Sequence, residues 1–438
     1  MLNQILCSNW LEDRISQLPD PLICQILSHL PTKKAVRTSV LSTRWKSLWL
    51  WLPSLELASS KFPNPNAFMS FGDSFFHSSR VSSIHKLNLT LNFGNVNTHF
   101  ASWIDAAVKR NVQHLHVRYA CEMPLSLYTS ETLVSLKLYW VVLPSAEFVS
   151  LPCLKVLHLE YISYSNDTTF EKLVSSSPVL EELEFGLVSS VENVFRVLSR
   201  SLKKLTISIR ISVGVSERGI LIDAPRLDFL GICDNLSESF IIMNMGSNVK
   251  LDLDLSPAIL FEVLDVLSRR NSLHSFLPQI SKIRDMFIHL GTSQLLCEYS
   301  KLEPLPQFGY MSRLQVELYY SHSKWLPTLL ESCPNLKSLI LLCYNAVHEE
   351  MPFEETNQVG FSTVPQCLLS SLEFVDFKVK VSGLAAEMKL VRYFLENSPI
   401  LKKLTLPLRY DNIQIQDDLV KKFLKIPRRS TECEVVFL

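Results

Sequence analysis

The sequence predicts an α/β chain: a small three-helix module, then a long stack of strand-and-helix units. The stack's strands form a parallel sheet on a concave face, with helices on the convex face. Three observations carry this. A short apolar phrase recurs from residue 80 onward, helical patterns lie between its copies, and residues 12 to 57 hold three short helical patterns separated by turn signals.

In the amino-terminal module, Asp20 is placed to cap the first helix, Pro21 takes the favoured first position, and Leu22, Ile26, Leu27 and Leu30 form an apolar face. Pro31 and Thr32 end that helix and open a second, with Val36, Val40 and Leu41 apolar against Lys33, Lys34 and Arg37. Ser42 caps a third, carrying Trp45, Leu48, Trp49 and Leu52. Three helices in about 45 residues are too few to bury so much Leu, Ile and Trp, so the surplus apolar surface asks for a partner. The pair Leu18-Pro19, the run LSHLPTKKAVRTSVLS and the ending RWKSLW resemble an F-box of the kind common in plants. That resemblance implies docking on a Skp-type adaptor, which joins the chain to a cullin–RING ubiquitin ligase. By position it makes Leu18, Pro19, Leu22, Ile23, Ile26, Leu27, Pro31, Val40, Leu41 and Trp45 the adaptor-facing residues.

Residues 53–66 carry the Pro and Asn of a connection. An amphipathic helix with Phe68, Phe71, Phe75 and Phe76 follows, placed to cover the open edge of the first unit. The recurring phrase then reads apolar, two variable, apolar, one variable, apolar. Its sharpest copies start with Pro: PCLKVLHL at 152–159, PVLEELEF at 178–185, PRLDFLGI at 225–232, PNLKSLIL at 334–341 and PILKKLTL at 399–406. Others centre on Leu87, Leu115, Leu136, Leu205, Met286, Leu314 and Val375. The spacing falls mostly in the roughly 20–29-residue range of leucine-rich repeats. The last two apolar positions of each copy alternate with one variable residue, which is strand spacing with one face buried. Helices are expected around Trp103-Ile104-Ala107-Val108, Phe170-Leu173-Val174, Val194-Val197-Leu198, Trp325-Leu329-Leu330 and Leu390-Val391-Phe394. One strand and one helix cannot bury their own apolar stripe, so the units must stack. The pattern blurs between about 235 and 282, and residues 345–363 interrupt it with an acidic insertion read as a solvated loop.

The carboxy-terminal segment is similar to the FBD region of plant F-box proteins, at Cys367, Leu368, Leu372, Gly383, Leu395, Leu401, Leu404, Pro427, Arg428, Ser430, Cys433 and Phe437. From the residues alone it reads as further repeats finished by an edge strand, Cys433 to Leu438. The domain organisation is therefore an F-box over 12–57, a linker and capping helix over 58–80, leucine-rich repeats over 81–363, and an FBD region over 364–438 that continues and caps the stack.

Composition excludes several classes. Acidic and basic residues balance at 43 each, so no global field favours nucleic acid or an anionic membrane. No apolar run approaches a membrane span, and the first residues lack the form of a secretory signal, so the expected location is the cytoplasm or nucleus. The ten cysteines include no CxxC pair and read as reduced core residues; the sequons at Asn88, Asn166 and Asn235 read as chance matches. With 11 glycines, neither a GxGxxG nor a GxxxxGK[ST] phosphate loop can be written, and no GxSxG elbow is present. His114 and His116 share a strand face, with His158 in a later unit; they read as solvent-facing histidines and not as a metal site.

The variable residue inside each strand pair should point outward, giving the row Asn88, His116, Lys137, His158, Glu184, Thr206, Gly231, Phe287, Gln315, Ile340, Asp376 and Thr405. The first six are the candidate target-facing residues. Their mixed chemistry suits a protein surface better than phosphate or stacked bases. The resemblance then implies a non-catalytic recognition subunit of an SCF-type ubiquitin ligase, with no cofactor. Two alternatives stay open: a small-molecule receptor acting through the repeats, and an F-box scaffold without ubiquitin transfer.

Overall fold

The computed structural model describes residues 15, 17–79, 81, 83–92, 97–165, 168–187, 194–209, 219–234, 239–246, 248–255, 266–345, 361, 363–409 and 413–438. Cys7, residues 12–14, the sequons at Asn166 and Asn235 and most of the acidic insertion lie outside the described residues. The chain forms two compact units, Met1–Leu180 and Glu181–Leu438.

The first unit opens with helices α1 (Asp20–Ser28) and α2 (Thr32–Arg37), followed by 3-10 turns over Thr38–Val40 and Trp45–Trp51. Asp20 does not cap α1. The helix starts at Asp20 itself, and the Asp20 carboxylate pairs with Arg44 instead. Ser42 Oγ does accept from the Trp45 N–H, at 3.4 Å. The third expected helix is 3-10, a short tight form suited to a chain that turns immediately afterwards.

Residues expected to be connection form strand β1 (Ser54–Ala58), the edge of a parallel sheet. Leu55 and Leu57 alternate with exposed Ser54 and Glu56, a signal too short to stand out beside the neighbouring prolines. Next come α3 (Pro65–Phe76), β2 (Lys86–Thr90), α4 (Asn97–Lys109), β3 (His114–Arg118), β4 (Ser135–Tyr139), β5 (Val142–Leu143), β6 (Val156–Tyr164) and α5 (Thr168–Ser175). Strands β1, β2, β3, β4 and β6 pair in that order, all parallel, and β5 adds to β6. Their register aligns Leu87, Leu115, Leu136 and Leu157 in one fully buried row, and Leu89, Val117, Leu138 and Leu159 in the next. Each such side chain removed from water contributes roughly 1.5–3 kcal/mol. The aromatic helix α3 lies against α4: Phe68 and Phe76 both contact the Trp103 ring, and Asp73 accepts from Trp103 Nε1 at 2.9 Å.

The second unit contains β7 (Glu182–Leu187), β8 (Val194–Leu198), β9 (Lys204–Ile209), β10 (Gly219–Ala224), β11 (Phe229–Asp234), β12 (Ser239–Met245), β13 (Lys250–Asp254), α6 (Val266–Gln279), β14 (Asp285–Ile288), α7 (Leu290–Tyr299), β15 (Arg313–Tyr319), α8 (Leu326–Glu331), β16 (Ser338–Tyr344), α9 (Gln366–Ser370), β17 (Phe374–Phe377), α10 (Ala385–Asn397), β18 (Lys403–Leu406), α11 (Ile413–Leu424) and β19 (Glu434–Phe437). Its main sheet runs β7-β9-β11-β13-β14-β15-β16-β17-β18-β19, parallel throughout. A single in-register row holds Leu183, Leu205, Leu230, Leu251, Met286, Leu314, Leu339, Val375, Leu404 and Val435.

One expected helix is a strand. Val194–Leu198 is β8, which joins β10 and β12 in a second parallel sheet ordered β12-β10-β8. Phe195 and Val197 are buried while Val194 and Arg196 are exposed, so the segment follows a two-residue period. Strand β13, with buried Leu251 and Leu253, lies in the stretch where the pattern blurred. Among the described residues no helix is long and apolar enough to cross a membrane.

Candidate functional site

The amino-terminal module has two differently occupied apolar surfaces. Ile23, Leu27, Ala35, Trp45, Leu48 and Leu52 form its own core, with Leu18, Cys24 and Trp49 packed against it. Trp49 also stacks on Phe71 (ring centroids 5.3 Å apart) and Phe75 (5.8 Å), which fixes that side of the module to α3. Arg44 ties the Leu18-Pro19 turn down by donating to the Leu18 carbonyl at 2.6 Å and to Asp20 Oδ1.

On α1 a second stripe points away from this core. Leu22, Ile26 and Leu30, spaced four apart, are exposed, and so are Pro19, Pro31, Val40 (86%) and Leu41 (65%). The ten residues expected to face the adaptor therefore separate. Ile23, Leu27 and Trp45 are corrected: they are 0–4% exposed inside the module and unavailable to a partner. Leu18 is half-buried against that core. Pro19, Leu22, Ile26, Pro31, Val40 and Leu41 remain accessible, and Leu30 and Trp51 join them as exposed apolar residues absent from the expected set. On a helix that turns 100° per residue the four share one broad arc, with Ile23 and Leu27 at the edge that meets the module's core and Leu22 and Ile26 at the edge left exposed, so periodicity alone does not tell which edge the module keeps.

The variable-residue row is also regular. In the first unit, register aligns Glu56, Asn88, His116, Lys137 and His158. Asn88, His116 and Lys137 are half-buried, whereas His158 is buried at 8%, which corrects its reading as solvent-facing. Lys137 stands between His116 and His158 in the register, so the sheet interposes a cation between these two histidines. Burial, then the charges of Lys137 and Arg118, hold the His116 pKa below its usual value. In the second unit the row runs Glu184, Thr206, Gly231, Asp252, Phe287, Gln315, Ile340, Asp376, Thr405 and Val436. Glu184 and Thr206 are half-buried; Gly231 and Ile340 are buried, Gly231 beside the Phe229 ring of its own strand and the Thr206 methyl of β9.

Burial pushes the Cys121 and Cys367 thiols up to about 12, so both are protonated at neutral pH and act as small apolar groups. Cys153 is exposed.

Three family models match this chain: the F-box domain over residues 15–57, the leucine-rich repeats of an FBD-associated F-box protein over 100–276, and FBD over 360–406. Two relatives from Arabidopsis thaliana extend over nearly the whole length. An FBD-associated F-box protein, At5g53635, is 56% identical over 435 residues, covering 97% of this chain and 100% of the relative. An F-box/FBD/LRR-repeat protein, At2g05300, is 51% identical over 434 residues, covering 98% of this chain and 97% of the relative. The chain belongs to the F-box/FBD/LRR-repeat family.

The FBD residues of this family member have physical roles in the second unit. Gly383 adopts φ of 84°, and a Cβ there would overlap Leu419 of α11. Beside it the nearly buried Glu387 carboxylate accepts from the N–H groups of Ser382 (2.9 Å), Gly383 (2.6 Å) and Leu384 (2.9 Å), closing the start of α10. Ser430 Oγ donates to the Leu401 carbonyl at 2.7 Å and Arg428 to that of Cys433 at 3.0 Å, fixing the approach to β19. These roles position backbone.

Proposed function

We propose that this chain is the substrate-recognition subunit of an SCF-type ubiquitin ligase, working in the cytoplasm or nucleus. Its F-box docks on a Skp-type adaptor through Pro19, Leu22, Ile26, Pro31, Val40 and Leu41, and the outer sheet faces of its repeats receive a target. The observation that carries the reading is the uncovered apolar stripe on an F-box whose Trp49 is already packed on Phe71 and Phe75. Membership of the F-box/FBD/LRR-repeat family supports it.

On this reading no residue of the chain performs bond chemistry. The target is held near charged ubiquitin, and the gain is one of effective concentration. The domain limits set out above follow the same division of labour: adaptor docking at 12–57, and target and capping functions beyond. An enclosed cavity in the second unit, lined by Leu253, Leu277, Met286, Phe308, Met311 and Cys333 among others, is wholly apolar and gives a ligand no polar handle.

The test is co-expression with a Skp-type adaptor and affinity purification. The wild-type chain is expected to retain the adaptor, and the pair Ile26→Asp with Leu41→Asp to lose it while keeping a native circular dichroism spectrum. Retention by the folded variant would contradict the assignment. Leu18→Ala is a poor probe, since Leu18 also packs on the module's core.

A further inference from the structure

The sheet face of the first unit carries three cations and, past the end of β4, a strained aromatic pair that Arg118 reaches. Register sets Lys86 beside His114, His116 between Asn88 and Lys137, and Arg118 between Thr90 and Tyr139. Among the described residues, no carboxylate forms an ion pair with Lys86, Arg118 or Lys137. The carboxylates of the same face stand near its two ends: Glu56, held by Lys61 Nζ at 2.5 Å, and Glu160, which is itself engaged.

Just past β4, and at the aligned position of β6, Trp140 and Tyr161 have φ of 60° and 57°. Left-handed backbone costs an L-residue roughly 1–2 kcal/mol, and for bulky side chains it is a true outlier. Neither ring repays this through core packing: both are nearly half exposed, at 47% and 43%. They stack on each other at 5.6 Å and 25°, and the Arg118 guanidinium lies 4.9 Å from the Trp140 ring centroid. Strain of this kind persists at ligand clamps, and exposed Trp, Tyr and Arg form the composition of interface hot spots.

We propose that this face binds an extended acidic segment of a partner polypeptide. Its carboxylates pair with Lys86, Arg118 and Lys137, and one of its apolar side chains lies across the Trp140–Tyr161 shelf. Charge complementarity selects the occupant. Three uncompensated cations match a short acidic peptide that can set an apolar side chain beside Glu160, whereas a nucleic-acid backbone carries a charge at every nucleotide and cannot skip that position. The proposal deepens the reading of the sheet as target surface and rests on it. It is tested without adaptor or ligase, so its failure and that of the docking assignment are distinguishable.

The probe is a fluorescein-labelled peptide of alternating Glu and Thr with a central Phe, titrated with the full chain and read by anisotropy. Binding is expected to weaken with added salt and to fall roughly tenfold or more when Glu is replaced by Gln, or in Arg118→Glu and Lys137→Glu. Arg118→Gln and Lys137→Gln serve if the reversals do not fold. Trp140→Gly is expected to weaken binding with the melting temperature held or raised, because glycine relieves the left-handed backbone; a merely structural ring would cost stability instead. Lys250→Glu in the second unit is expected to leave binding unchanged. No binding at low salt, equal binding of the Gln peptide, indifference to the Arg118 and Lys137 variants, or tighter retention of an oligouridylate than of the peptide would overturn the proposal.

Discussion

Glu387 is a carboxylate almost wholly removed from water, and it remains there because three backbone N–H groups and the Ser382 hydroxyl point at it. The turn that aims those groups needs Gly383 in left-handed geometry with no Cβ against Leu419. Gly383→Ala is therefore expected to lower stability by about 1–3 kcal/mol in urea unfolding; an unchanged midpoint would contradict the role. Two histidines carry opposite pH signatures. The hydrogen bond to Asp252 raises the His289 pKa above 6.5, with the nearby charges of Asp252, Glu317 and Asp254 adding to it. Its stabilising contribution is complete below the unfolded value and fades as pH rises through the raised folded one. His116 is lowered by burial, so its contribution is present above 6.5 and lost as pH falls through the depressed folded value. Unfolding series over about pH 5–8 are expected to show His289→Gln losing the decline above the ordinary value and His116→Gln losing the one below it. A series for either variant parallel to wild type would contradict its assignment. Gly383 was legible as a motif position, but neither its φ nor those of Trp140 and Tyr161 can be read from residue types, since left-handed aromatics have no compositional signature.

Secondary elements show where periodicity sufficed and where it did not. Strands with the full apolar phrase, such as β3 at Leu115-Val117 and β16 at Leu339-Leu341, fall where the repeat put them. Strand β8 was misread because VFRVL has apolar residues at both strand and helix spacing, and its partner β10 is not adjacent in sequence. The second sheet also needs an edge device that no pattern announces. Gln279 of α6 accepts from the Ile242 N–H at 2.7 Å and donates to the Phe240 carbonyl at 2.8 Å, occupying the open side of β12 as a strand would. In α3, Gly72 lies under the Trp103 ring, where a Cβ would collide. Helix propensity alone favours Gly72→Ala by about 1 kcal/mol, yet the collision is expected to reverse the sign and lower the melting temperature. A higher melting temperature would show that α3 and α4 can separate at no cost.

Across the molecule, the family and the parallel repeat architecture were legible because the buried rows are written directly as Leu, Ile, Val, Met and Phe at a near-constant spacing. The proposed docking surface was only half legible. Composition showed that the F-box holds more apolar surface than it can bury, but Ile23, Leu27 and Trp45 were assigned to the partner when the module keeps them itself. The central claim is that the remaining stripe is satisfied by a second polypeptide. Full burial of an aliphatic side chain contributes roughly 1.5–3 kcal/mol, so removing two should weaken docking on the order of a hundredfold or more. Calorimetric titration of the full chain with a Skp-type adaptor measures this directly. The expected result is binding with a negative heat-capacity change, weakened by that factor in Leu22→Ala with Ile26→Ala. Affinity unaltered in that double variant, or no binding by the folded wild type, would contradict the account.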